Sequence, residues 1–262
     1  MVRVILDDIE EKTRKRLIDD MKRVEPDEME HIAEDSPRPD RFPFERALER
    51  AGISAICEVK KASPSKGIIA EDFPYKDIAM EYESAGADAI SVLTERDFFL
   101  GSIDYLKGIA KVVHTPLLRK DFIIDTYQIF EARAAGASAV LLICAVLDDE
   151  RLRTFIKQCD HLGLSALVEA HDSEEVKRAV SAGARIVGVN NRNLKDFTVS
   201  PDNAERLRPL VPKNVLFVAE SGMKTAEDVK HMEDIGADAV LIGESLMRAE
   251  NRSAKLHELV GR

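Results

Sequence analysis

Lysines and carboxylates recur at the ends of short apolar runs in this chain, where each would be expensive if it were simply buried. I-C-E-V-K (56–60) carries Glu58 and Lys60, and L-L-R-K-D-F (117–122) carries Lys120. L-V-E-A (167–170) carries Glu169, and V-N-N-R (189–192) carries Asn190 and Arg192. V-A-E-S-G (218–222) ends in Glu220, Ser221 and Gly222, and L-I-G-E-S (241–245) in Gly243 and Glu244. Side chains alternate along a strand, so Glu58 and Lys60 share a face. One such pair reads equally well as a structural ion pair. Two lysines and two glutamates on three different strands read as an acid/base site.

Two of these endings suggest an anion as well. The turns E-S-G and G-E-S bring backbone N–H groups and a helix start to one place, which is what a phosphate group requires. The stretch S-P-S-K-G that follows Lys60 and Lys61 is polar and reads as a closing loop. It carries Ser63, Pro64 and an ammonium that could reach the same anion. The ordinary strand-to-helix turn is its plainer reading. No metal is expected, because the six histidines contain no H-E-x-x-H and no close pair. The chain has no Walker A loop and no G-x-S-x-G elbow.

Groups on so many separate strand ends need a frame that gathers them. A-G-A-D-A-I begins at Ala85, A-G-A-S-A-V at Ala135, A-G-A-R-I-V at Ala182 and I-G-A-D-A-V at Ile235, spaced by 50, 47 and 53 residues. In each, a helical pattern runs into a glycine suited to a left-handed helix end, and a β-branched apolar run follows. Further strands are expected at 54–60, 115–122, 164–170 and 214–221. Interleaved, the two sets give eight strands, each followed by a helix. That pattern predicts an α/β fold, a (β/α)8 TIM barrel over 51–262 with chemistry at the C-terminal strand ends. A doubly wound open sheet is the competitor, and no G-x-G-x-x-G follows the first strand to support it. Residues 1–50 read as a helical extension packed on the barrel. Its cluster K-T-R-K-R is interleaved with acids and reads as a solvated helix face, with a lid or brace as the alternative.

Composition excludes several classes. The chain has 262 residues, 45% hydrophobic and 33% charged, with a formal net charge of −10. Such a chain repels nucleic-acid backbones, so no nucleic-acid partner is expected. No apolar run approaches the roughly 20 residues of a spanning helix, so no membrane role is expected. The three cysteines, Cys57, Cys144 and Cys159, form no C-x-x-C pair, and the start lacks a signal-peptide core. A cytoplasmic protein with thiols in its core is the expectation.

Taken in order, E-V-K-K-A-S-P-S-K-G, L-T-E-R-D-F-F-L-G-S, L-R-K-D-F-I-I-D, L-V-E-A-H, G-V-N-N-R-N-L and A-E-S-G resemble the indole-3-glycerol phosphate synthase family of tryptophan biosynthesis. The resemblance runs from about residue 40 to the last helix. It implies ring closure of 1-(2-carboxyphenylamino)-1-deoxyribulose 5-phosphate to indole-3-glycerol phosphate, carbon dioxide and water, without a cofactor. By the resemblance, Lys120 is the general acid toward the ribulose carbonyl, and Lys60 meets the substrate carboxylate, with Glu58 beside it. Glu169 is the acid/base of dehydration, and Asn190 and Ser221 hold the substrate. Ser63, Gly222 and Gly243 match the phosphate site, and Pro64, Arg192 and Glu220 stand within the same motifs. Phe99, Phe122, Leu141 and Leu241 would wall the aromatic ring. Glu244 departs from the family, where serine is common, and should point away from the phosphate or cap the next helix. The expected pKa of the lysine acid is low, through burial and the repulsion of Lys60 and Lys120. The expected partner is a small anionic sugar phosphate. A monomer is expected, with association to other enzymes of the same pathway open. A Schiff-base aldolase, a phosphoribosylanthranilate isomerase and a non-catalytic sugar-phosphate-binding barrel are the competing readings.

Overall fold

A computed structural model describes residues 5–37, 42–193 and 198–261. Among these residues the strands are β1 (Ser54–Val59), β2 (Ala62–Ser63), β3 (Gly67–Ile68), β4 (Ala89–Leu93), β5 (Leu117–Lys120), β6 (Ala139–Ile143), β7 (Ser165–Ala170), β8 (Ile186–Asn190), β9 (Leu216–Glu220) and β10 (Ala239–Ile242). The α-helices are α1 (Ile5–Arg23), α2 (Pro26–Asp35), α3 (Pro43–Leu48), α4 (Tyr75–Ser84), α5 (Ile103–Ile109), α6 (Thr126–Ala134), α7 (Asp149–Leu162), α8 (Ser173–Ser181), α9 (Asp202–Leu207), α10 (Ala226–Asp234), α11 (Glu244–Met247) and α12 (Arg252–Val260). All strands except β2 and β3 close into one parallel barrel in the order β1-β10-β9-β8-β7-β6-β5-β4. This is the (β/α)8 TIM barrel, and none of the described helices is long and apolar enough to cross a membrane.

The period of two sorts each strand into an inner and an outer set. Ile56, Leu118, Leu141, Leu167, Ile186, Val218 and Leu241 fill the barrel, while Cys57, Val92, Val140, Val168, Val187, Phe217 and Val240 face the helices. The glycines of the four A/I-G-A repeats, Gly86, Gly136, Gly183 and Gly236, all have φ near +90°, which glycine alone adopts without strain. In two repeats the following aspartate clamps a neighbouring strand. Asp88 accepts the N–H of Ala55, and Asp238 accepts the N–H of Phe217, at 2.8 and 2.7 Å.

The N-terminal end of the barrel is plugged by α3. Phe44 and Leu48 pack into the barrel-filling cluster, and Glu45 receives Arg185 at 2.8 and 2.9 Å and the Ser165 hydroxyl at 2.9 Å. At the other end α1 acts as a brace, and the expectation of a merely solvated face is corrected. Arg14 and Lys15 do face water, in i, i+4 pairs with Glu10 and Glu11. Arg16 instead shares a face with buried Ile9 and Thr13 and reaches the fully buried Glu95 at 2.5 Å. The S-P-S-K-G stretch, read as a polar closing loop, is a short hairpin. Ser63 and Gly67 pair in the antiparallel β2–β3 hairpin, closed by the N–H of Lys66 on the Ser63 carbonyl at 3.2 Å.

Candidate active site

Each site residue singled out in the sequence lines one cavity of about 590 Å³ at the C-terminal end of the barrel. From β1 and the hairpin come Glu58, Lys60, Ser63 and Pro64, and from β5 and its loop Lys120 and Phe122. From β6, β7 and β8 come Leu141, Glu169, Asn190 and Arg192. From β9 and β10 come Glu220, Ser221, Gly222, Leu241, Gly243 and Glu244, and Phe99 enters from the loop after β4. The same alternation that packs the barrel thus aims its last layer into the opening.

At the centre stands Lys120, with Nζ 3.5 Å from Oε2 of Glu169 and 3.6 Å from Oε2 of Glu220. Burial by itself would push this ammonium down, but Glu220, Glu169 and Glu58 outweigh it and raise the Lys120 pKa above the usual lysine value. The expectation of a lowered pKa is therefore corrected: the surrounding carboxylates outweigh burial. The two glutamates divide. Burial, then the neighbouring Glu169 charge, pushes Glu220 up to about 8. Burial also acts on Glu169, but Lys120, His171 and a hydrogen bond from Asn190 win and hold it below the usual carboxylate value. No donor reaches buried Oε1 of Glu220, which suits a carboxyl that keeps its proton.

Lys60 pairs directly with Oε2 of Glu58, which lies one layer deeper and is buried. Room for these buried carboxylates comes from two glycines. A Cβ on Gly188 would collide with Oε1 of Glu220, and one on Gly243 would collide with Oε2 of Glu58 and crowd Nζ of Lys60 at 2.8 Å. Asn190 turns its side-chain carbonyl back onto the Arg192 N–H at 3.0 Å, leaving its amide for Glu169. Ser221 is left-handed at φ 64°, followed by Gly222 at 96°, so the backbone reverses sharply at the end of β9.

One side of the cavity is cationic. Besides Lys60 and Arg192 it presents Lys66, Lys224 and Arg248. Glu244 opens α11 there and is neutralised, with Oε1 3.6 Å from Lys66 Nζ and 3.2 Å from Arg248 Nε. The Ser245 hydroxyl donates to the Met223 carbonyl at 2.6 Å and ties the last two strand-end loops together. The opposite side is apolar. Phe99 and Phe122 stand 6.4 Å apart at 39°, with Leu93, Leu141 and Ile143 beside them. The Phe99 loop is held by Glu95, whose carboxylate accepts the N–H groups of Asp97, Phe98 and Phe99 at 3.1, 2.7 and 3.0 Å.

Sequence reasoning named the ammonium of the S-P-S-K-G loop but not Lys224 or Arg248. Lys224 lies two residues past the A-E-S-G turn, and Arg248 lies one helical turn after Glu244, so both spacings were legible. His171, the last residue of L-V-E-A-H, takes no role from the motif, and it lies one residue beyond the end of β7, behind Glu169.

A family model described as indole-3-glycerol phosphate synthase matches residues 6–259. Relatives named indole-3-glycerol phosphate synthase include one from Ruminiclostridium cellulolyticum, 60% identical over 84% of this chain and 85% of its own length. Another, from Lacticaseibacillus paracasei, is 49% identical over 95% of this chain and 96% of its own. Among solved structures, 3-hexulose-6-phosphate synthase from Salmonella typhimurium superposes with a TM-score of 0.66 at 16% identity, over 80% of this chain and 97% of its own. At that identity the likeness speaks for the barrel alone.

Proposed function

The chain belongs to the indole-3-glycerol phosphate synthase family, and from that premise we propose how its own residues divide the reaction. It is the decarboxylating, dehydrating ring closure of 1-(2-carboxyphenylamino)-1-deoxyribulose 5-phosphate, a step of tryptophan biosynthesis. The observation that carries the division is one lysine held between two buried glutamates, with an apolar wall on one side and cations on the other.

The phosphate lies among Ser63, Gly222, Gly243 and the cations Arg192, Lys66, Lys224 and Arg248, and the aromatic ring lies against Phe99, Phe122, Leu141 and Leu241. This span sets the ribulose carbonyl over Lys120. As the ring carbon bearing the carboxylate attacks, the carbonyl oxygen takes the Lys120 proton. An alkoxide is far more basic than any lysine, so the raised pKa of Lys120 does not obstruct the transfer and keeps the acid loaded. Lys60, steered by Glu58, meets the substrate carboxylate, which leaves as carbon dioxide and returns the bonding pair to the ring. Dehydration follows: the new hydroxyl departs as water with a proton from Lys60, and Glu169 takes the proton that the ring system loses. Lys120, His171 and Asn190 together favour the ionised Glu169 for that role, and Ser221 holds the sugar hydroxyls.

The Schiff-base alternative, on Lys60 or Lys120, requires a neutral amine, and the carboxylates around Lys120 favour its ammonium form. Borohydride added with a ketose phosphate leaves the chain's mass unchanged on this reading; a permanent increase on a lysine overturns it. Direct support comes from adding the anthranilate-ribulose phosphate and recording indole fluorescence together with released carbon dioxide. We further take the protein to act as one catalytic unit, a monomer of the cytoplasm whose buried Cys57, Cys144 and Cys159 stay reduced.

A further inference from the structure

His171 stands two residues past Glu169, beyond the end of β7. Its Nε2 lies 3.3 Å from Oε1 of Glu169, the oxygen turned away from Lys120, which approaches Oε2. Nε2 is buried and has no formed hydrogen bond, so it is available to the one carboxylate that faces it. The other ring nitrogen is already engaged: Nδ1 lies 3.2 Å from Oε2 of Glu175, and the same oxygen accepts the His171 backbone N–H at 2.7 Å. The N-cap of α8 fixes this geometry, since the Asp172 carboxylate accepts the N–H groups of Glu174 and Glu175 and sets Glu175 facing the ring. His171 does not line the cavity that holds Lys120. It lines a separate cleft together with Glu175 and Asn203, whose amide donates to the His171 carbonyl at 3.2 Å. The imidazole therefore forms the partition between the reaction cavity and a second opening.

We propose that His171, backed by Glu175, is a positioning residue that relays protons between the Glu169 carboxyl and solvent on the far side of the barrel wall. The inference rests on the reading of Glu169 as the acid/base of dehydration. That role leaves Glu169 protonated once per turnover, while a substrate filling the cavity keeps water from its Oε2 side. The proton passes from Glu169 Oε1 to His171 Nε2, and the proton on Nδ1 passes to Glu175 and out to the cleft. Both groups are then restored by the ring exchanging its protons in reverse order with water, so the cycle balances without any other reactant. The charges around the imidazole are Glu169, with Lys120 behind it, Glu220 from β9, Glu175 and Asp172 at the start of α8, and, lining the same cleft, Arg192 after β8 and Asp202, Glu205 and Arg206 of α9. Burial disfavours the imidazolium, but Glu175 and Glu169 outweigh burial and raise the His171 pKa, which lets the ring hold the proton in transit.

The test compares His171→Ala and His171→Gln with the parent, using the anthranilate-ribulose phosphate as substrate. A relay predicts that His171→Ala loses roughly tenfold in kcat with KM within about twofold. It also predicts that millimolar imidazole restores the rate, following the neutral fraction of imidazole. His171→Gln keeps the volume and a polar group and should show the same kcat loss, which covers the case in which the alanine variant folds poorly. A kcat within about twofold of the parent in the glutamine variant, or a loss in the alanine variant that imidazole leaves untouched, overturns the relay. Glu169→Gln, measured alongside, separates the two readings. If it retains kcat, the role given to Glu169 fails; if it is inactive while the His171 variants are normal, the relay alone fails.

Discussion

Glu220 shows how much a single residue's chemistry depends on its neighbours across the barrel. Burial, then the charge of Glu169, pushes its carboxyl up to about 8, well above the 4.5 of a free glutamate. The folded chain thus holds a proton that the unfolded chain has lost over that interval. The stability this group contributes is fully present below 4.5 and is lost as pH rises through 8. Glu220→Gln removes the titration, so its unfolding free energy should gain on the parent's steadily from pH 5 to 8.5, as read by urea denaturation at each pH. Parallel profiles would contradict the assignment. Gly243→Ala is the second residue-scale expectation. The new Cβ would displace Glu58 and Lys60, and kcat/KM should fall by roughly a hundredfold, checked by initial-rate assays. The identities of Glu58, Lys60, Lys120 and Glu169 were legible because each ends an apolar run on the inward register. Their protonation was not, because Lys120 takes its value from Glu169 on β7 and Glu220 on β9, neighbours that only ring closure brings together.

Among the elements, α1 is the one whose role the sequence concealed. Its helical pattern is plain, yet the K-T-R-K-R cluster sends Arg14 and Lys15 to water and Arg16 inward, and only the shared face of Ile9, Thr13 and Arg16 distinguishes them. Arg16 holds Glu95, Glu95 holds three backbone N–H groups, and the last of these belongs to Phe99 in the cavity wall. Arg16→Met should therefore cost roughly 1–3 kcal/mol of stability by leaving a buried carboxylate short of its cation. It should also raise KM more than it lowers kcat, since it loosens a binding wall and not the proton chemistry; a steady-state analysis at a temperature well below unfolding separates the two. The β2–β3 hairpin was equally hidden. Two-residue strands carry no period to read, and Ser63 is buried there by pairing with Gly67, not by its own chemistry.

At the scale of the molecule, the barrel separates stability from catalysis by its two ends. The repeat that betrayed the fold, a glycine after each second helix, recurs because each unit must end a helix and begin a strand in the same way. The plug of α3 lies outside that repeat, and nothing in its short P-F-E-R-A-L run announces that Phe44 enters the barrel floor. Phe44→Ala should cost about 3–5 kcal/mol of unfolding free energy and leave kcat unchanged in the folded enzyme, as measured by denaturant titration and initial rates. The central claim, that this chain closes an indole ring with Lys120 as the proton donor, is tested most directly by Lys120→Met. Substrate binding is followed by calorimetry and product formation by indole fluorescence. The variant should bind within about tenfold of the parent and give no fluorescence growth, because a general acid acts chiefly in the transition state. Near-normal turnover by that variant would contradict the claim.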